Sequence, residues 1–221
     1  GTLENATLLV ESGRILKVGA VAVPEDAEVI DASGKTIIPG LIDVHAHLHF
    51  GRSDAHPQQS WQHAVNLAFG VTTVHDPSAN NDFVFPIAER IAAGLEIGPR
   101  VYSTGSVLYG AKSRNRSRIK DLEDAKLHIK RMKAMGARSI KSYQQPAREQ
   151  RQWLIKAASE ERINVYPEGG GDLQMNLNML LDGHTGIEHA LPQAVLYADV
   201  LGLYAASGAG YSPTLLVAYG G

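Results

Sequence analysis

The chain has 221 residues, 44% hydrophobic and 20% charged, enough for one large domain or a large domain with a small appendage. Its formal net charge of −2 gives no electrostatic reason to expect nucleic acid or an anionic membrane as a partner. It has no cysteine, which excludes disulfides, thiolate metal sites and cysteine nucleophiles together, while nine histidines leave imidazole, carboxylate and modified lysine as metal ligands.

The first stretch, ATLLVESGRILKVG, predicts two short strands around a turn at Ser12 and Gly13. A further short β piece, AEVIDASGKTIIPG, follows a Pro-Glu-Asp turn, so residues 1–36 read as a small β appendage. From Ile37 the pattern alternates. The apolar run TIIPGLIDVHAH precedes a helix in PQQSWQHAVNLAFG. VTTVHDP, NDFVFPIAERIAAGL, PRVYSTGSVLYG and LEDAKLHIKRMKAMG follow as strand, helix, strand and helix. RSIKSYQQ, INVYPEGG, GIEHA and GYSPTLLVAYGG predict four more strands, separated by helices in REQRQWLIKAASEER, LQMNLNMLLDG and AVLYADVLGLYAASG. Short β-branched runs alternating with longer amphipathic stretches indicate parallel strands with crossover helices. Glycine closes helices at Gly70, Gly94, Gly136 and Gly208.

Residues 37–221 thus carry seven strands, whereas a full (β/α)₈ barrel takes roughly 250 residues. The expectation is an α/β barrel that stops after its seventh strand, or a seven-stranded open sheet. Trp61 and Trp153 fall on helices and are expected in the core, and the basic run Lys112, Arg114, Arg116 and Arg118 reads as a solvated loop. No apolar run approaches the roughly 20 residues of a membrane span and no signal peptide is visible. The composition fits cytoplasm and periplasm alike and leaves a homo-oligomer open.

The chemistry concentrates at strand ends. His45 and His47 lie two apart, so in a strand they share a face, at the end where barrel enzymes place their active sites. Two converging imidazoles suit a divalent transition metal, Zn²⁺ by default. His49 continues the alternation, so spacing alone leaves His47 with His49 as a second register.

The string GKTIIPGLIDVHAH closely resembles the first-strand signature of the amidohydrolase superfamily, Pro-Gly-Leu-Ile-Asp followed by a His-x-His ligand pair. The resemblance implies a distorted (β/α)₈ barrel with a small β-sandwich formed by both chain ends. It also implies one or two metal ions that activate water against amide, ester or related bonds. It selects His45 and His47 as the pair. On the fourth strand, SIKSY puts Lys141 where binuclear members carry a carbamylated lysine that bridges two metals; on the sixth, GIEHA offers His189 as a ligand. The fifth strand departs from the common pattern: INVYPEGG places Glu168 where most relatives have a histidine, and a carboxylate ligand is the expectation there.

PEGG, DGHTGIEHA and YSPTLLVAYGG further resemble a prolidase- and imidazolonepropionase-like subgroup, the amidohydrolase domain of large bacterial proteins that begin with a β-propeller. Members also place an aspartate after the eighth strand as general base. It has no counterpart before Gly221, so a truncated domain is expected.

Tyr143 shares the strand face of Lys141 and is a candidate hydrogen-bond donor to substrate. His75 and Asp76 are weaker candidates for substrate contact, and His184 reads as structural. The resulting expectation is a metal-dependent hydrolase of carbon–nitrogen bonds in a small amide or peptide, with Zn²⁺, or Mn²⁺ or Fe²⁺, held by His45, His47, Lys141, Glu168 and His189. A prolidase-like dipeptidase and a non-catalytic barrel with a binding role are the alternatives.

Overall fold

A computed structural model describes residues 1–48, 58–109, 116–143 and 147–219. His49, Lys112 and Arg114 lie outside them. The chain divides into two units, Gly1–Pro39 and Gly40–Gly221.

In the first unit, β1 (Thr7–Glu11) and β2 (Arg14–Gly19) form an antiparallel hairpin with an irregularity between Leu9 and Val10. Ser12 and Gly13 turn the chain with φ of 49° and 72°; positive φ at both central residues is what a tight hairpin with native twist requires. The segment AEVIDASG differs from expectation. It makes two turns, Ala27 N to Pro24 O and Lys35 N to Ala32 O, and no strand. Its alternation finds no ladder partner among the described residues, and Val29 and Ile30 are exposed.

The second unit alternates strand and helix. Its strands are β3 (Leu41–Asp43), β4 (Val71–Asp76), β5 (Arg100–Ser103), β6 (Val107–Tyr109), β7 (Arg116–Arg118), β8 (Ser139–Ser142), β9 (Asn164–Pro167), β10 (Gly186–Glu188) and β11 (Gly210–Ser212). The helices are α1 (Trp61–Ala68), α2 (Asn81–Ala92), α3 (Leu122–Ala134), α4 (Arg148–Glu160), α5 (Leu173–Leu181), α6 (Ala198–Ser207) and α7 (Leu215–Tyr219). Every strand pairing in this unit is parallel: β3-β4-β5, β7-β6-β8-β9 and β10-β11. A parallel bridge between Glu168 and Glu188 joins β9 to β10 just past the strand proper.

Caps and apolar stripes explain the helices. Asp121 accepts from Asp124 N at 2.8 Å to start α3, Asp172 from Met175 N at 3.1 Å to start α5, and Asn80 from Asp82 N at 3.0 Å to start α2. Gly70, Gly94, Gly136 and Gly208 all take positive φ at the ends of their helices. The inner faces of α2, α3 and α4 bury Val84, Ile87, Ala125, Ile129, Met132, Leu154 and Ala157 with Val74, Val101, Ile140 and Val165 of the strands. All four residues of β8 are buried, as a strand covered on both faces requires.

Four local expectations change. Arg116–Arg118, expected within a solvated loop, form β7 beside β6. PRVYSTGSVLYG is two strands rather than one, broken at Thr104–Ser106, where Gly105 (φ 63°) turns and the side-chain Oδ1 of Asn81 accepts from Ser106 N at 2.7 Å. GYSPTLLVAYGG is a strand only over Gly210–Ser212; Pro213 has no N–H for a ladder, Thr214 takes φ 44°, and Leu215–Tyr219 turns helical. Trp61, expected in the core, opens α1 at 71% exposure, whereas Trp153 packs against the core.

Two buried groups give predictions. Gly169 lies so close to β10 that a Cβ would stand 2.2 Å from the Glu188 carbonyl oxygen, so Gly169→Ala is expected to cost about 2–3 kcal/mol in denaturant unfolding; a loss within 0.5 kcal/mol, the roughly neutral range, would contradict the close approach. His184 is buried, its Nδ1–H donating to Met179 O at 2.9 Å and its Nε2 facing Ser142 Oγ at 3.3 Å. Burial pushes its pKa down to about 4. The unfolded imidazole therefore takes up a proton first, and stability falls by up to about 3 kcal/mol as pH drops from about 6.5 toward 4. Urea titrations across that window should show a shallower fall for His184→Gln; equal slopes would refute this assignment.

Candidate metal centre

Parallel register brings one end of every strand together. His45 and His47 follow β3, Asp76 ends β4, Lys141 lies in the last turn of β8, Glu168 follows β9, and Glu188 and His189 stand at the end of β10. All are carboxyl ends, the rim on which parallel α/β folds build their sites.

The five residues read as ligands form one continuous contact chain. The His47 and His45 rings are 5.0 Å apart, centroid to centroid, and His45 and His189 are likewise 5.0 Å apart. His189 Nε2 lies 2.8 Å from Glu168 Oε1, and Lys141 Nζ lies 2.6 Å from Glu168 Oε2. Tyr143 is half-buried beyond Lys141, its ring edge-on to Tyr109 at 5.8 Å.

Successive strand residues point to opposite faces. His189 nonetheless joins the cluster directly after Glu188 because it leaves the strand with φ 71°, an uncommon conformation for a residue with a Cβ. Its N–H donates to Ser212 O at 2.8 Å and its Nδ1 pairs with Thr214 Oγ1 at 2.7 Å, so β11 holds the turn.

Electrostatics follows the pairing. Burial would raise the Glu168 carboxyl, but the His189 hydrogen bond and the adjacent Lys141 ammonium outweigh it and take the pKa down to about 2. Glu168 is therefore an anion at any ordinary pH. The hydrogen bond to Asp76 raises His47, against partial burial and the charge of Lys141.

Two carboxylates stand behind the His-x-His pair. Asp76, 1% exposed, faces His47 Nδ1 at 3.3 Å and also accepts from Ser78 N at 3.0 Å. Glu188, 2% exposed, pairs with His45 Nδ1. The GIEHA motif alone gives Glu188 no role; the signal it carries is a carboxylate in an otherwise apolar, buried strand. His75 lies just outside the cluster. Its Nδ1 meets Val44 O at 3.2 Å and its Nε2 meets Ser139 Oγ at 2.6 Å, a structural arrangement, and burial lowers its pKa.

Among the described residues, no three His, Asp or Glu side chains stand close enough together to hold one ion as they are, because the donors are paired with one another. The residues nevertheless fit a divalent cation. Among the described residues, His45 Nε2 is buried without a hydrogen-bond partner, an atom whose lone pair a metal would satisfy. Imidazole nitrogens, an ionised carboxylate and a buried lysine together make a nitrogen–oxygen donor set suited to Zn²⁺.

Comparisons with known proteins bear on the fold and on the stretch around the histidine pair. The model of the Amidohydrolase family matches residues 28–94, which carry β3, the His45–His47 pair and β4. A dihydroorotase of Pelotomaculum thermopropionicum is 31% identical over 130 residues, 57% of this chain and 30% of that protein. The crystal structure of an amidohydrolase superposes over 99% of this chain and 64% of its own length, with a TM-score of 0.75 at 19% identity. A putative prolidase from Bifidobacterium longum does so over 94% and 55%, with a TM-score of 0.71 at 23% identity. The chain thus spans about a third of that curated relative and just under two thirds of the longer structural match. Over residues 28–94, which include the histidine pair, the chain is thus similar to the Amidohydrolase family, and along nearly its whole length it shares the fold of these solved structures.

Proposed function

We propose that the chain carries the metal site of a hydrolase that cleaves carbon–nitrogen bonds in amides or cyclic amides with an activated water. The observation that supports this reading most is the contact chain His47–His45–His189–Glu168–Lys141 at the carboxyl ends of parallel strands. In this reading the seven parallel strands β3, β4, β5, β8, β9, β10 and β11 are the first seven of a (β/α)₈ barrel.

One or two divalent ions, Zn²⁺ by default and Mn²⁺ or Fe²⁺ otherwise, supply a water with its pKa lowered toward about 7 and a Lewis acid for the carbonyl oxygen. His45 and His47 give neutral nitrogen donors. Glu168, held ionised, gives anionic oxygen and offsets cationic charge. His189 gives a third imidazole, oriented by Thr214. The Lys141 ammonium gives up one proton to water, and the free amine then adds through Nζ to CO₂ and releases a second, which turns a buried cation into an anionic oxygen ligand. That carbamate would sit beside Glu168 as a second anion, an arrangement that only bound cations make favourable. Tyr143 is assigned as a hydrogen-bond donor to the substrate.

A second reading is favoured by the superposition on the putative prolidase of B. longum: a dipeptidase acting on Xaa-Pro bonds. The cyclic amide is favoured by the sequence match to a dihydroorotase. Assays of cyclic amides, N-acyl amino acids and Xaa-Pro dipeptides with Zn²⁺ or Mn²⁺ separate the two, and the preferred class should exceed the other in kcat/KM by at least about tenfold, about 1.4 kcal/mol.

Metal analysis tests the ligands directly. The protein purified with Zn²⁺ should retain one or two equivalents after dialysis, and Lys141→Ala and His189→Ala should each lower that content and reduce turnover by at least about 100-fold. Unchanged stoichiometry and turnover in both variants would sink the ligand assignment. Chelation should abolish activity and Zn²⁺ or Mn²⁺ should restore it; full activity of the metal-free protein would exclude this mechanism.

A further inference from the structure

Two atoms of one imidazole carry a second inference, which rests on the metal reading above. His45 has a 7% exposed side chain, and its Nδ1 is paired with the 3% exposed side chain of Glu188. Its Nε2 is equally buried and has no hydrogen-bond partner among the described residues. A neutral imidazole has one N–H and one lone pair, and the hydrogen bond made by one nitrogen decides where each resides. A carboxylate accepts only, so the proton belongs on Nδ1 and the lone pair on Nε2.

We propose that Glu188 is a positioning residue that fixes His45 in its Nδ1–H tautomer and presents Nε2 as a metal ligand. The surroundings are built for the task. The Glu188 main chain is itself fixed: its carbonyl accepts from Gly169 N at 2.9 Å, and the two strands approach so closely there that only glycine fits at 169. The residue that orients His45 is thus held by the segment that carries Glu168, and the two donors are set from one piece of backbone. An accepting carboxylate also strengthens the donor power of the imidazole it holds. Asp76 faces His47 Nδ1 in the same sense at the longer distance of 3.3 Å, so both imidazoles of the pair have a carboxylate behind them. Glu188 touches neither substrate nor reacting atoms in this role; it acts through His45.

Two measurements on the full protein test the assignment. In the metal-free wild type, ¹⁵N-edited NMR of labelled histidine should show His45 protonated on Nδ1, a readout independent of turnover and of any variant's folding. Zn²⁺ titration against a chelating dye should then show Glu188→Ala binding about 10–100-fold more weakly than wild type. Glu188→Gln, whose amide oxygen still accepts from Nδ1–H, should recover part of the loss. A His45 proton on Nε2 in the wild type, or equal Zn²⁺ affinity in wild type and Glu188→Ala, would overturn the role of Glu188 while leaving the metal site intact. A wild type that binds no Zn²⁺ would overturn both.

Discussion

The buried ammonium of Lys141 is the constraint around which the rim of this fold is organised. At 1% exposure it has no access to bulk water, and a cation in that position needs a close anion. Glu168 provides it at 2.6 Å, and breaking such a buried pair by removing one partner typically costs about 3–5 kcal/mol. The pairing works only because β8 and β9 run parallel and in register from Ser139 opposite Asn164 to Ser142 opposite Pro167. Glu168 N then donates to Ser142 O at 2.9 Å, one step past the ladder, which sets the carboxylate beside the amine.

From that pair the rest of the centre follows by contact. Glu168 uses its other oxygen for His189, His189 lies against His45, and His45 against His47. Each link belongs to a different strand end or to the residues just after one, so the site exists only when the whole parallel set is assembled. A wholly apolar rim of the same shape would be simpler to fold, since buried ion pairs rarely stabilise relative to packed hydrocarbon. Retaining so many ionisable groups at one end of the sheet argues for chemistry rather than stability.

Much of this was legible in the sequence because the controlling patterns are local. Alternating β-branched runs and capped amphipathic stretches marked the strands and most helices, and glycines marked helix ends. The resemblance around PGLIDVHAH selected His45 and His47, and the later strand motifs named Lys141, Glu168 and His189. What stayed hidden depends on contacts between distant segments. Nothing local shows that Glu188 reaches across 143 positions to His45, or that Asp76 stands behind His47. The turn of His189 to φ 71° depends on Ser212 at the end of a later strand and on Thr214 just beyond it. The helical end after Pro213 and the exposure of Trp61 differ from expectation because apolar content alone suggests strand or core, whereas proline and a helix start decide otherwise. Sequence identifies donors; only the assembled strands identify what orients them.

On this reading of the rim, histidine nitrogens and oxygens from different strand ends close on one cation. X-ray absorption spectroscopy of the Zn²⁺-loaded protein reads that shell directly. Nitrogen and oxygen scatterers are expected at about 2.0–2.1 Å with the outer-shell signature of at least two imidazoles. A fully hydrated ion, or a shell without imidazole, would contradict it.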